Sequence, residues 1–361
     1  MLFVGGEFYY DRRWMMDTRT AFPTDGERTC FLAGGQACLM VISDYLLGQG
    51  LHSVLLPAYL CPTIPKTLLR SGLRCSFYRV HEDFSIDLDD LKGRLSADPH
   101  QVVYFINYFG FSPLPPILDF FRSLRQNGTI IVEDNAQAGF HNHPTGDFVF
   151  NSLRKFAPYD GAYLNAPVDM APYLNQYGSR PNRRLPLIRE YRERLFHYLF
   201  EDEDDADELD ALFEQAEQVY ETDPVVLGDP QEQTCIERLD WQAIRQVRRE
   251  NYNYLLSRIG EIPHIAAVFP ALQTDNMPLG LPVVFSGVSR DRVAAQLGES
   301  QIGLTVHWEN MHPDASTPAQ RLAMDMSNRI LTLAIDQYTS TKQLDYQVEQ
   351  LSIAIEVAKL D

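Results

Sequence analysis

No stretch of this 361-residue chain is apolar for long enough to span a bilayer. Its start, MLFVGGEFYYDRRWMMD, lacks the basic opening and long apolar run of a secretion signal. Positive charge is scarce: 31 lysines and arginines face 49 aspartates and glutamates, for a net charge of −18. That balance argues against holding nucleic acid or an anionic membrane by bulk attraction, so neither is expected as a partner. Cysteine is sparse too. Cys30, Cys38, Cys61, Cys75 and Cys235 are odd in number and contain no C-x-x-C pair. They read as reduced thiols of a cytoplasmic protein, not as a disulfide framework or a zinc site. His141 and His143 have the spacing of one side of a strand, but two histidines alone fall short of a ligand set, and no metal is expected. There is no internal repeat. The single biased tract is Glu201–Asp210, eight of whose ten residues are acidic, and it reads as a solvated face.

What is present is an alternating pattern. Cys38, Val41, Ile42, Tyr45 and Leu46 mark one face of a helix that Gly48 and Gly50 stop. Short apolar strands are predicted at Ser53–Leu56, Leu73–Tyr78, Val102–Ile106 and Thr129–Val132, with helices at 63–70, from Asp87 to about Leu95, and at 116–126. Strands that are apolar almost throughout and alternate with helices imply a mostly parallel sheet covered on both faces. Residues 185–260 read as long charged helices, with Asp240 as a cap. Short strands follow at Ala266–Phe269, Pro282–Phe285 and Gly303–Trp308, then a last helix over about 341–358. The length suits two domains: a large one over residues 1–249 and a smaller α+β one over 250–361.

In parallel sheets ligands collect at the carboxyl ends of the strands, which directs attention to Pro57–Cys61, Asn107–Gly110 and Glu133–Gln137. Four segments are informative together. Ala33-Gly34-Gly35-Gln36-Ala37 opens a helix, where free N–H groups and the helix dipole suit a phosphate. Ile130-Ile131-Val132-Glu133-Asp134 ends a buried strand in acids; Asp134 could hold a pyridinium N–H or merely cap a turn. Ser152-Leu153-Arg154-Lys155 follows some twenty residues later. Burial or a neighbouring cation would make Lys155 a nucleophile towards an aldehyde, and Ser152 could donate to a phosphate. Tyr59, Tyr108 and Phe109 fall at strand ends where a flat ring could stack or where core aromatics sit. Taken singly, each segment has an ordinary structural explanation. Their order along the chain is what carries information.

That order resembles the DegT/StrS family of sugar aminotransferases, which are fold-type-I, aspartate aminotransferase-like enzymes dependent on pyridoxal 5'-phosphate (PLP). The likeness runs from about Phe31 to Leu351 through LLPAYLCPTIPKTLLRSGLRCSFYRVHEDFSIDLDDL, INYFG, VEDNAQAGF and SLRKFAPYDGAYL. The resemblance implies a fold-type-I PLP transferase, with a mostly parallel sheet flanked by helices in the large domain. It implies Lys155 as the Schiff-base lysine and acid/base, Asp134 on the pyridine nitrogen, and Gln137 near the ring. Gly35, Gln36 and Ser152 would hold the phosphate. Tyr59 or Cys61 would face the ring, and the residues leave that choice open. Val306-His307-Trp308 falls where members carry substrate contacts, which makes His307 and Trp308 candidates. A homodimer with a shared active site is implied, as is a role in sugar and cell-surface polysaccharide biosynthesis. The activity implied is transfer of an amino group from glutamate to a nucleotide-linked keto sugar.

Departures from the family pattern fall at Asn107, where a histidine is usual; at Gly161-Ala162, where a glycine pair is usual; and at Ala334, where proline is common. Two other readings stay open. A PLP-dependent sugar dehydratase or lyase would keep the cofactor, but dehydrating relatives replace the lysine by histidine, and Lys155 is present. A non-catalytic paralogue would keep the fold and bind a sugar or a partner. An NAD-linked enzyme is disfavoured because no G-x-G-x-x-G follows the first strand.

Overall fold

The computed structural model describes residues 3–20, 28–97, 102–140, 144–178, 180–201, 205–274 and 276–359. His141, His143 and part of the acidic tract lie outside them. Seven strands form the main sheet, in the order Thr29–Leu32, Ala162–Asn165, Phe148–Asn151, Ile130–Asn135, Val102–Ile106, Ser53–Pro57, Arg74–Tyr78. The last five run parallel, whereas Ala162–Asn165 opposes both of its neighbours. Val102–Ile106 is buried at every position, as its continuous apolar run requires of a strand covered on both faces. Phe105 stacks on Phe121 of the helix Pro115–Gln126 with ring centroids 4.7 Å apart, which pins that helix to the sheet.

The predicted elements of the first half appear within a few residues of their expected bounds, including helices Gly35–Gly48, Thr63–Arg70 and Leu88–Ala97. The charged middle resolves into four helices: Arg184–Phe200, Ala206–Thr222, Pro230–Glu237 and Trp241–Ile259. Asp205, Asp229 and Asp240 cap the last three by accepting backbone N–H groups. Part of the acidic tract therefore has a local use: Asp205 caps a helix whose first turn carries Asp207 and Glu208, where the dipole favours negative charge. The helix Trp241–Ile259 runs unbroken across residue 250.

Beyond it, Ile265–Ala267, Leu281–Phe285 and Ile330–Leu333 form a small antiparallel sheet, and Thr341–Lys359 packs against Trp241–Ile259. The strand expected over Gly303–Trp308 is corrected. Only Ile302–Gly303 forms a strand, paired with Val4–Gly5, and Thr305 adds a single antiparallel bridge to Thr332, whose N–H donates to the Thr305 carbonyl at 3.1 Å. The next carbonyls that have partners are met by side chains. Tyr59 donates its hydroxyl to the His307 carbonyl, and Ser327 donates to that of Trp308 at 2.6 Å. Residues 305–308 thus become a wall of a cavity.

Candidate active site

Parallel pairing sets the floor of the site. Asp134 lies opposite Ile106 on one side and Phe150 on the other, so three neighbouring strands end together. Its carboxylate is buried and accepts from the Tyr104 hydroxyl at 2.5 Å and from the Ala136 N–H at 2.7 Å. Burial raises its pKa; those two hydrogen bonds and the positive charge of Lys155 oppose the rise. Glu133 points the other way and anchors the loop after the site, accepting from the N–H groups of Thr145 and Gly146 at 2.6 and 2.9 Å. Asn107 joins this buried group by donating to Glu133 and Asn135. Asn107 thus has a structural role of its own in this buried group. Gln137 accepts from the Phe109 N–H at 2.9 Å, which leaves its buried Nε2 without a partner.

The strand Phe148–Asn151 delivers Ser152, and a single tight turn, Leu153–Lys155, carries the lysine. Burial lowers the pKa of Lys155; Cys61 and Asp134 push it back up, and Arg154 lowers it further. Its Nζ lies 5.9 Å from the centroid of the Trp308 ring. One cavity of about 90 Å³ is lined by Gly35, Gln36, Cys61, Asp134, Gln137, Ser152, Lys155 and Trp308 among others. Residues from across the chain that were singled out individually therefore meet here.

A second cavity of about 390 Å³ shares Cys61, Arg154, Lys155 and Trp308 with the first and extends to His307, Thr332 and residues 5–8. Lys155 stands where the two meet. Cys61 faces both spaces, whereas Tyr59 lines neither. The Tyr59 ring is fully buried against Phe84, Tyr108 and Trp308.

His307 is buried and shares a 3.0 Å hydrogen bond with the Thr332 hydroxyl. Burial, and then the charge of Lys155, depress its pKa to about 3, so it is neutral in the native protein at ordinary pH. Unfolding releases it to the ordinary value near 6.5. The unfolded chain then binds a proton that the folded chain refuses, so this contribution to stability is present above about pH 6.5 and is lost as pH falls towards 3. Replacing His307 with Asn should flatten the acid side of the stability–pH curve. Urea titrations of both proteins at pH 7.5 and 5 would test this, and an unchanged difference between the two pH values would refute it.

The residues match no family model and no curated protein. Solved structures do match. Spr1654 from Streptococcus pneumoniae in its PLP form superposes with a TM-score of 0.64 at 15% identity, over 96% of this chain and 93% of that one. DesI, solved with its TDP-sugar product, gives 0.66 at 14% identity over 92% and 82%. A DegT DnrJ EryC1 StrS aminotransferase from Brucella abortus gives 0.59 at 16% over 91% and 86%. The chain has the fold of these aminotransferases. The mostly parallel sheet and the smaller C-terminal sheet are thus one known architecture, retained at low identity.

Tyr104, which donates to the Asp134 carboxylate, and several lining residues, among them residues 5–8, Glu217 and Tyr220, were not expected from the sequence. Tyr104 was legible as a hydroxyl in an otherwise apolar strand, two residues before the strand's end. Residues 5–8 come from a segment that carries no motif. Glu217 and Tyr220 lie on the helix Ala206–Thr222, and nothing in that charged helix signals that one end of it reaches the site.

Proposed function

We propose that this protein is a PLP-dependent aminotransferase that moves an amino group from glutamate to a keto sugar, carried on a nucleotide as in the DesI complex. The observation that carries the reading is that Lys155 and Asp134 line one small cavity. The residues fit the cofactor. Asp134 offers a buried carboxylate for a pyridinium N–H, and the orphaned Gln137 Nε2 lies on the same wall. Gly35 and Gln36 begin a 14-residue helix with no side-chain cap, which leaves N–H groups for a phosphate beside Ser152. When bound, PLP supplies an aldehyde for covalent attachment and an electron sink.

The chain's own residues do the rest. Lys155 would hold the cofactor, and its amine, once the substrate's amino group had displaced it, would take and return the proton at the substrate carbon. Asp134 would keep the ring nitrogen protonated. Trp308 and Cys61 flank the amine and bound the ring space, with Cys61 favoured over Tyr59 because Tyr59 lines neither cavity. His307 and Trp308 would contact the substrate in the larger cavity. Lys155 favours transamination over dehydration. The reading includes a homodimer with a shared active site and a cytoplasmic location. Among the described residues no helix is long and apolar enough to cross a membrane.

The test is spectroscopic. Protein mixed with PLP should gain a visible absorption band that glutamate removes and a keto-sugar acceptor restores. A protein that stays colourless with excess PLP would remove the proposal. A band that glutamate leaves untouched would remove the donor assignment.

A further inference from the structure

The helix Ala206–Thr222 places Tyr220 at the phosphate end of the smaller cavity and Glu217 on the larger one. Tyr220 lines the smaller cavity together with Gly35, Gln36, Ser152 and Arg154. Its hydroxyl lies at the start of the helix Gly35–Gly48, so near Gly34 that a Cβ there would stand 3.3 Å from the phenol oxygen. The guanidinium groups of Arg154 and Arg184 lie 4.8 and 5.4 Å from the centroid of its ring. One turn earlier, Glu217 holds both arginines, at 2.8 Å to Arg154 and 2.7 Å to Arg184. These pairs fix the helix against the Lys155 turn.

A second observation points to a ligand. Gln36 is buried, with 7% of its surface exposed, and its side-chain Oε1 has no partner. A half-turn of that amide presents its NH2, the donor that a phosphate oxygen takes. The seat therefore offers the N–H groups at a helix start, an amide, the Ser152 hydroxyl and a phenol, with a guanidinium alongside. A phenol at that place can donate its proton to an anion held at the helix start.

We propose that Tyr220 is a phosphate-binding residue, by which the helix Ala206–Thr222 closes the cofactor's phosphate seat from within the same chain. This rests on the reading of the cavity as a PLP site. Tyr220→Phe removes only the hydroxyl and keeps the ring beneath both arginines, so folding is retained.

The affinities for PLP and for pyridoxal, which lacks the phosphate, are measured by absorbance and fluorescence titration. Tyr220→Phe should weaken PLP binding about tenfold, the loss expected for one hydrogen bond to a charged group, and leave pyridoxal unchanged. Equal PLP affinity in the two proteins, or equal weakening of PLP and pyridoxal, overturns the assignment. If the wild-type protein binds no PLP, the functional reading fails by itself and inorganic phosphate becomes the probe, followed by calorimetry. Phosphate binding that weakens about tenfold in the variant then upholds the seat. Equal binding, or none to the wild type, overturns it.

Discussion

Lys155→Ala is expected to lower transamination by at least about 10³-fold, because one amine serves as both nucleophile and proton carrier. The residue is set apart from the other lysines by its surroundings: burial lowers its pKa, while Asp134 stabilises its charge from across the cavity. At pH 7–8 more of it is therefore neutral than of an ordinary lysine with a pKa near 10.4. Attachment of PLP should accordingly rise with pH and level off before the range in which exposed lysines titrate. Folding should be nearly unaffected, since the substitution removes a buried cation and leaves no hydrogen-bond partner stranded among the described residues. Borohydride reduction followed by peptide mass analysis checks the assignment directly, because the label must sit on the peptide containing Lys155. Label on another lysine, or full activity in the alanine variant, would end the case for this residue. Lys155→Arg sharpens the comparison by keeping the charge while losing the nucleophile, and it should be as inactive as the alanine variant.

The floor of this site was legible because each of its parts obeys a local rule. Val102–Ile106 and Ile130–Val132 are apolar runs that only a covered parallel strand can use, and the polar residues that follow them must sit at carboxyl ends. Asp134 was found in this way, whereas Gln137, Ser152 and Lys155 stood out through the order of segments that resembles the DegT/StrS pattern; the structure gathers all four into one cavity. The walls follow different physics. Tyr220 reaches the cavity because Glu217 pairs with Arg154 and Arg184, a tertiary arrangement without sequence periodicity. Gly303–Trp308 was expected as a strand, yet only Gly303 lies in one; Thr305 makes a lone bridge to Thr332, and the carbonyls of His307 and Trp308 accept from the side chains of Tyr59 and Ser327 instead of a ladder. Tyr59 and Cys61 could not be separated from their spacing. What separates them is that the Tyr59 hydroxyl finds an acceptor in the core, whereas Cys61 faces the cavity.

Asp134→Asn should separate function from stability by moving them in opposite directions. Asparagine keeps the shape and can still accept from the Ala136 N–H, while the Tyr104 hydroxyl can turn to accept from the new amide. What is lost is the charge that would hold a pyridinium proton, and activity should fall by about 10²–10³-fold. In the cofactor-free protein that same charge is a burden. Burial raises the Asp134 pKa above its unfolded value, so between the two values the folded state binds a proton that the unfolded state does not. This unfavourable contribution is full above the folded pKa and is relieved as pH falls through it towards the unfolded one near 3.9. The variant should therefore melt higher than the wild type at pH 7 without cofactor, and the gap should narrow towards pH 4. Added PLP should reverse the order by stabilising the wild type more. Melting curves with and without PLP at both pH values decide the matter. A variant that melts lower at pH 7 without cofactor would mean that the carboxylate serves the fold and not the ring.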